Sequence, residues 1–135
     1  MVKMTAVYKG NLHCEVTHEP SGSKIETDAP RDNQGLGERF SPTDLVGAAL
    51  ATCILTTMDI VARRDGIVME GARAETEKEM AGAPFRRIGS FKVVVHLPAS
   101  LSPEQRRKLE SAAHHCPVHK SLHPDLVISL QFTYA

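Results

Sequence analysis

Three cysteines, Cys14, Cys53 and Cys116, are the residues here that can do covalent chemistry. An odd number of them speaks against an exported fold stapled by disulfides and for thiols kept reduced. Cys116 stands before Pro117-Val118-His119-Lys120-Ser121-Leu122. If Pro117 opens a helix, Cys116 is its N-cap, and a thiolate there meets unpaired N–H groups and the positive end of the helix dipole. Its pKa is then expected below the ~8.5 of a free thiol. An inert cysteine at a helix junction fits the same spacing. Cys53 lies in an apolar stretch, where burial raises a thiol pKa. It is either a small core hydrophobe or a nucleophile that a cation must reach. Arg31 and Arg39, in the loop upstream, are the candidate cations, and each could equally be a solvated surface residue. Cys14, between His13 and Glu15, has no activating neighbour and reads as inert.

A competing cluster is His114-His115-Cys116-Pro117-Val118-His119 with His123 beyond it. Such residues bind zinc or copper. Adjacent histidines point in different directions on a helix, however, and no second cysteine lies nearby. Exposed histidines at a helix end explain the segment more simply, so no metal and no other cofactor is expected.

These side chains need elements to hold them. Short alternating segments at Thr5–Tyr8, Leu12–Thr17 and Lys24–Thr27, separated by turn residues, predict a three-stranded antiparallel meander. A loop from Ala29 to Phe40 follows, long enough to carry function. Ser41 as cap, Pro42 at the first helical position and Asp44 three residues after the cap predict a helix from Pro42 to Arg64, with Gly66 to end it. That helix is apolar on nearly all sides at first, so it needs cover on every face. One sheet covers one face, which points to a partner subunit. Ala72–Met80 and Arg86–Leu97 predict a hairpin. Ser102-Pro103-Glu104-Gln105 opens a further helix to about His115. The strict alternation of Leu126, Ile128, Leu130, Phe132 and Tyr134 predicts a half-buried closing strand. The expected fold class is α+β: antiparallel sheets around one long buried central helix, in a single domain over residues 1–135.

Composition narrows the classes. With 135 residues, 41% hydrophobic and 24% charged, the chain fits one ordinary globular domain. Sixteen basic and sixteen acidic residues leave no net charge, against a nucleic-acid partner. The most apolar run, Leu45 to Leu55, is far short of the ~20 residues that cross a bilayer. Met1-Val2-Lys3-Met4-Thr5 has no apolar leader character. A cytoplasmic location without membrane contact is therefore expected.

Two motifs together resemble the OsmC/Ohr family of thiol-dependent hydroperoxide reductases: Ser41-Pro42-Thr43-Asp44-Leu45-Val46-Gly47-Ala48-Ala49-Leu50-Ala51-Thr52-Cys53, and Cys116-Pro117-Val118-His119-Lys120-Ser121-Leu122. The resemblance runs through essentially the whole chain in element order. It implies an intertwined homodimer with two active sites at the subunit boundary. It implies that Cys53 attacks the peroxide and Cys116 resolves it, although local electrostatics alone favours Cys116 as the more acidic thiol. The substrate implied is an organic hydroperoxide, with hydrogen peroxide as a secondary one and an external dithiol as reductant. One departure stands out. Where the family carries a Glu after the helix-opening Pro to orient the activating Arg, this chain has Thr43 and then Asp44. Asp44 either substitutes or serves as the capping carboxylate, and capping is favoured. The family's loop arginine corresponds to Arg31 or Arg39, with Arg31 preferred. The loop is closer to the OsmC-like branch, and the departure motivates an alternative: a small-molecule or thiol-metabolite binding protein with weak or no peroxidase activity.

Overall fold

The computed structural model describes all 135 residues. They group into two units, residues 1–46 and residues 47–135, each with its own three-stranded sheet.

In the first unit, strands β1 (Met4–Gly10), β2 (His13–His18) and β3 (Ser23–Asp28) form the expected antiparallel meander. Asn11 and Leu12 turn the first hairpin with φ of 53° and 64°. Two consecutive left-handed residues are what a two-residue turn between right-twisted strands requires. The register sets His13 opposite Asp28 and Cys14 opposite Thr27. Thr27 and Asp28 are buried, although β3 is exposed up to that point. The loop then makes one 3-10 turn at Arg31–Asn33 and comes back, so that Asp28 N–H donates to Phe40 O at 3.1 Å. A Cβ at Gly35 would lie 1.7 Å from the Ala29 carbonyl oxygen, so the loop closes only on a glycine.

Helix α1 spans Pro42–Arg64, the predicted bounds. Its start is a reciprocal cap: Asp44 N–H donates to Ser41 Oγ at 3.1 Å, and Ser41 N–H donates to Asp44 Oδ2 at 2.9 Å. In the second unit, Leu50, Ile54, Met58 and Ala62 are fully buried. Their spacing of four places them on one face. The helix is 23 residues long, and by length and composition alone it is apolar enough to cross a bilayer; the uninterrupted run Leu45–Leu55 understates this. Its own chain buries one face and leaves Ala49, Thr52, Thr56 and Ile60 exposed. The reason is the one already given, that a single sheet covers a single face.

Strands β4 (Arg73–Ala81) and β5 (Arg87–Leu97) form the predicted antiparallel hairpin. Phe91, Val93, Val95 and Leu97 of β5 are buried and contribute most of the sheet's apolar face. Helix α2 (Pro103–Ala113) carries a complete capping box on Ser102 and Gln105. Helix α3 (Pro117–Ser121) has Cys116 as its N-cap. Strand β6 (Val127–Tyr134) then pairs with β5 in parallel, from Ser90↔Val127 to Leu97↔Tyr134. This corrects the expectation of purely antiparallel sheets. Alternation reports which residues face inward but not which way a strand runs; the α2–α3 crossover brings the chain back to its starting end, and that makes the pair parallel. Arg106 of α2 stacks 4.1 Å over the Tyr134 ring, and Tyr134 Oη–H donates to Glu110 Oε1 at 2.9 Å, fastening α2 to β6.

Gly47 lets α1 lie close to the sheet: an added Cβ would meet Phe91 Cε1 at 3.0 Å and Thr76 Cγ2 at 3.6 Å. Phe91 is 1% exposed and has little room to yield. Gly47→Val is therefore expected to cost about 1–3 kcal/mol through overpacking, read as a lower urea midpoint at unchanged slope.

Candidate active site: a pair of thiols

Cys53 lies in the middle of α1 and Cys116 caps the start of α3, and the fold brings the two thiols close enough for each to shift the other's ionisation. Both are free thiols. They differ in surroundings. Cys116 is fully buried, while Cys53 is half-buried.

Burial opposes ionisation of Cys53, but three donors to its sulfur outweigh it: the Cys116 thiol, the Val118 backbone N–H and the Thr57 hydroxyl. The Thr57 Oγ1 lies 3.8 Å from Cys53 Sγ. The net effect holds the Cys53 pKa below the ordinary thiol value. At Cys116 burial is the largest influence and raises the pKa; giving its proton to Cys53 raises it further. The N-cap contribution is present, with His119 N–H donating to Cys116 Sγ at 3.5 Å, but it does not prevail. The expectation from local electrostatics, that Cys116 is the more acidic thiol, is thus overturned. The cap was read correctly; the burial of Cys116 and its proton donation to Cys53 were not visible from it.

Two contributors were missed in the sequence. Thr57 lies one helical turn after Cys53, a spacing that puts both on the same face and offered a signal. The Val118 N–H belongs to the first turn of α3 and offered none, because a backbone donor depends only on where the helix starts. His119, beside the pair, is pushed toward its neutral form by burial and by His114 and Lys120. The groups of this unit that stabilise a Cys53 thiolate are therefore uncharged dipoles.

The other predicted residues have their own partners. Arg31 Nε–H donates to Leu36 O at 3.0 Å within the loop. Arg39 Nε–H donates to Glu26 Oε2 at 2.6 Å, and this ion pair holds the Glu26 carboxyl low. Asp44 serves the cap of α1, as favoured from the sequence. Cys14 sits within β2 opposite Thr27. The histidines once weighed as metal ligands do not converge. His115 Nδ1 pairs with Ser111 O at 2.7 Å, His114 meets the Phe132 ring edge-on, and His123 Nδ1 accepts from Asp125 N–H.

The sequence profile of the OsmC-like protein family matches residues 35–131. The chain belongs to that family. A protein described as an osmotic stress induced and detoxification response protein of Psychrobacter arcticus 273-4 is 38% identical; the match covers 98% of this chain and 96% of that one, with a TM-score of 0.92. The organic hydroperoxide resistance protein OsmC of Legionella pneumophila is 22% identical over 98% of this chain and 96% of that one, with a TM-score of 0.78. The organic hydroperoxide resistance protein OhrB of Bacillus subtilis is 21% identical over 98% of both chains, with a TM-score of 0.73. The last two share the fold of this OsmC-like chain. No curated protein sequence matches it.

The ordering of the two thiols has a direct readout. Cys53 is expected to be alkylated by iodoacetamide before Cys116, at a rate that rises with pH through the Cys53 midpoint. Thr57→Val removes a donor to the thiolate, so that midpoint moves up and alkylation near neutral pH slows. Site-resolved mass spectrometry across a pH series checks both statements.

Proposed function

We propose that this OsmC-like protein reduces organic hydroperoxides through a two-cysteine cycle, with Cys53 as the attacking thiol and Cys116 as the resolving one. The observation that carries the reading is the asymmetry of the pair: the cysteine with the lowered pKa is the less buried one, and burial pushes its neighbour's pKa up. The family and the hydroperoxide resistance proteins that share the fold support the substrate class.

In the proposed cycle the Cys53 thiolate attacks the terminal peroxide oxygen. The O–O bond breaks, an alcohol leaves with one proton, and Cys53 becomes a sulfenic acid. The Cys116 thiol condenses with it, releasing water and forming a disulfide. An external dithiol returns both sulfurs to the thiol state and is itself oxidised. A peroxide with an apolar substituent gains from burial beside α1, which favours organic peroxides over hydrogen peroxide. Stress defence in a reducing cytoplasm fits this chemistry.

The working form proposed is a homodimer. Support comes from α1, which its own chain buries on one face and which leaves Ile60 58% exposed. Arg31, or else Arg39, is proposed to add positive charge at the attacking sulfur in the assembled protein.

A second reading, binding of a small molecule or thiol metabolite with weak turnover, is favoured by Thr43 at the place of the family's Glu and by the engagement of Asp44 in the cap.

The assay is consumption of cumene or t-butyl hydroperoxide by reduced protein with dithiothreitol. Cys53→Ser is expected to bring turnover to background. Cys116→Ser should leave a sulfenic acid on Cys53, trapped by dimedone. Substitution of the activating arginine by Ala should slow the first step about 100-fold. Wild-type protein that keeps its thiols in the presence of peroxide would overturn the enzymatic reading, and a small molecule retained through purification would support the second one.

A further inference from the structure

The N-terminal unit holds a second group of chemistry-bearing side chains that the proposed peroxidase cycle does not use. His13 and Asp28 are cross-strand partners on β2 and β3. Glu38 comes back over them on the loop, tied by its own N–H to Asp28 Oδ2 at 3.0 Å. That bond occupies one carboxylate oxygen of Asp28 and leaves the other, Oδ1, facing the imidazole. His13 Nε2 lies 3.4 Å from Asp28 Oδ1 and 3.9 Å from Glu38 Oε2. The three donor atoms all fall within 4.8 Å of one another, and no other group of three such residues in the chain does this.

An acidic cluster by itself is ordinary surface chemistry, but this one has an unsatisfied interior. Asp28 is 1% exposed, and its Oδ1 has no hydrogen-bond partner. The His13 Nε2 opposite is also buried and also without one. Buried polar atoms are nearly always partnered, and leaving one bare costs about 1–3 kcal/mol. The two atoms face each other from adjacent strands at 3.4 Å, and a cation between them would satisfy both. Ligand lengths of about 2.0–2.1 Å place tetrahedral donors about 3.3 Å apart, close to the His13–Asp28 separation. The Glu38 side chain is half exposed, which leaves the outer side open to ion entry and to a completing water.

We propose that His13, Asp28 and Glu38 form a binding site for one divalent first-row cation, of which zinc is the probe. One imidazole and two carboxylates suit zinc, manganese or ferrous iron better than the soft, thiol-seeking ions. Bound metal would tie β2, β3 and the loop together at one point.

Untagged protein is titrated with zinc by calorimetry, with the thermal midpoint followed in parallel. One equivalent per chain and a raised midpoint are expected. His13→Gln and Glu38→Gln, both at partly exposed positions, should each weaken zinc about 100-fold or more, since even outer-shell changes cost 10–100-fold. Cys53 and Cys116 remain intact in these variants, so zinc that still binds with full affinity is thiol-bound and overturns the site. No stoichiometric binding overturns it as well, and identifies His13–Asp28 as an ion pair of the apoprotein. Peroxide turnover is not part of the readout, so this result and the test of the thiol cycle stand separately.

Discussion

The interaction of the Cys116 thiol with the Cys53 sulfur, which lowers the pKa of one and raises that of the other, is what organises the candidate site. A sulfhydryl is a weak donor, and in water such an interaction would count for little. Here both sulfurs are held by helices whose positions are fixed for other reasons. α1 is pinned by Leu50, Ile54, Met58 and Ala62, all fully buried, and Gly47 lets it approach Phe91 closely. α3 starts where Pro117 makes it start. The Cys116 thiol, the Val118 N–H and the Thr57 hydroxyl together hold the Cys53 pKa below the ordinary thiol value. The two sulfurs end with opposite shifts although they are the same chemical group.

That result separates what the sequence could reveal from what it could not. Capping grammar was fully legible. Ser41, Pro42 and Asp44 set the start of α1, Ser102 and Gln105 that of α2, and Cys116 with Pro117 that of α3, because a cap is a contract among residues three apart. Strand positions were legible for the same reason of short range. The direction of β6 was not, since it depends on where a crossover returns. The acidity order of the cysteines was not either, since it depends on a donor more than sixty positions away. The cluster of His13, Asp28 and Glu38 is likewise invisible in the linear chain; it exists only once the meander has chosen its register and the loop has closed on Gly35.

Both units leave some buried polar atoms without a hydrogen bond: Thr76 Oγ1, His96 Nε2 and His119 Nδ1 in the C-terminal unit, His13 Nε2 and Asp28 Oδ1 in the N-terminal one. In the N-terminal unit the arginines settle on neighbours, Arg31 on the Leu36 carbonyl and Arg39 on Glu26, while a buried carboxylate oxygen and an imidazole nitrogen stay bare. The exposed ion pair of Arg39 contributes little to stability, as surface pairs generally do.

One consequence of the cap on α3 reaches beyond acidity. Cys116 Sγ is at once the acceptor that holds the first turn of that helix and the atom that faces Cys53. A helix of five residues has too few internal bonds to persist unaided. A covalent bond formed at this sulfur would change the acceptor on which His119 N–H relies. A change in the bonding of this one buried atom would therefore be passed directly to the backbone from Pro117 to Ser121.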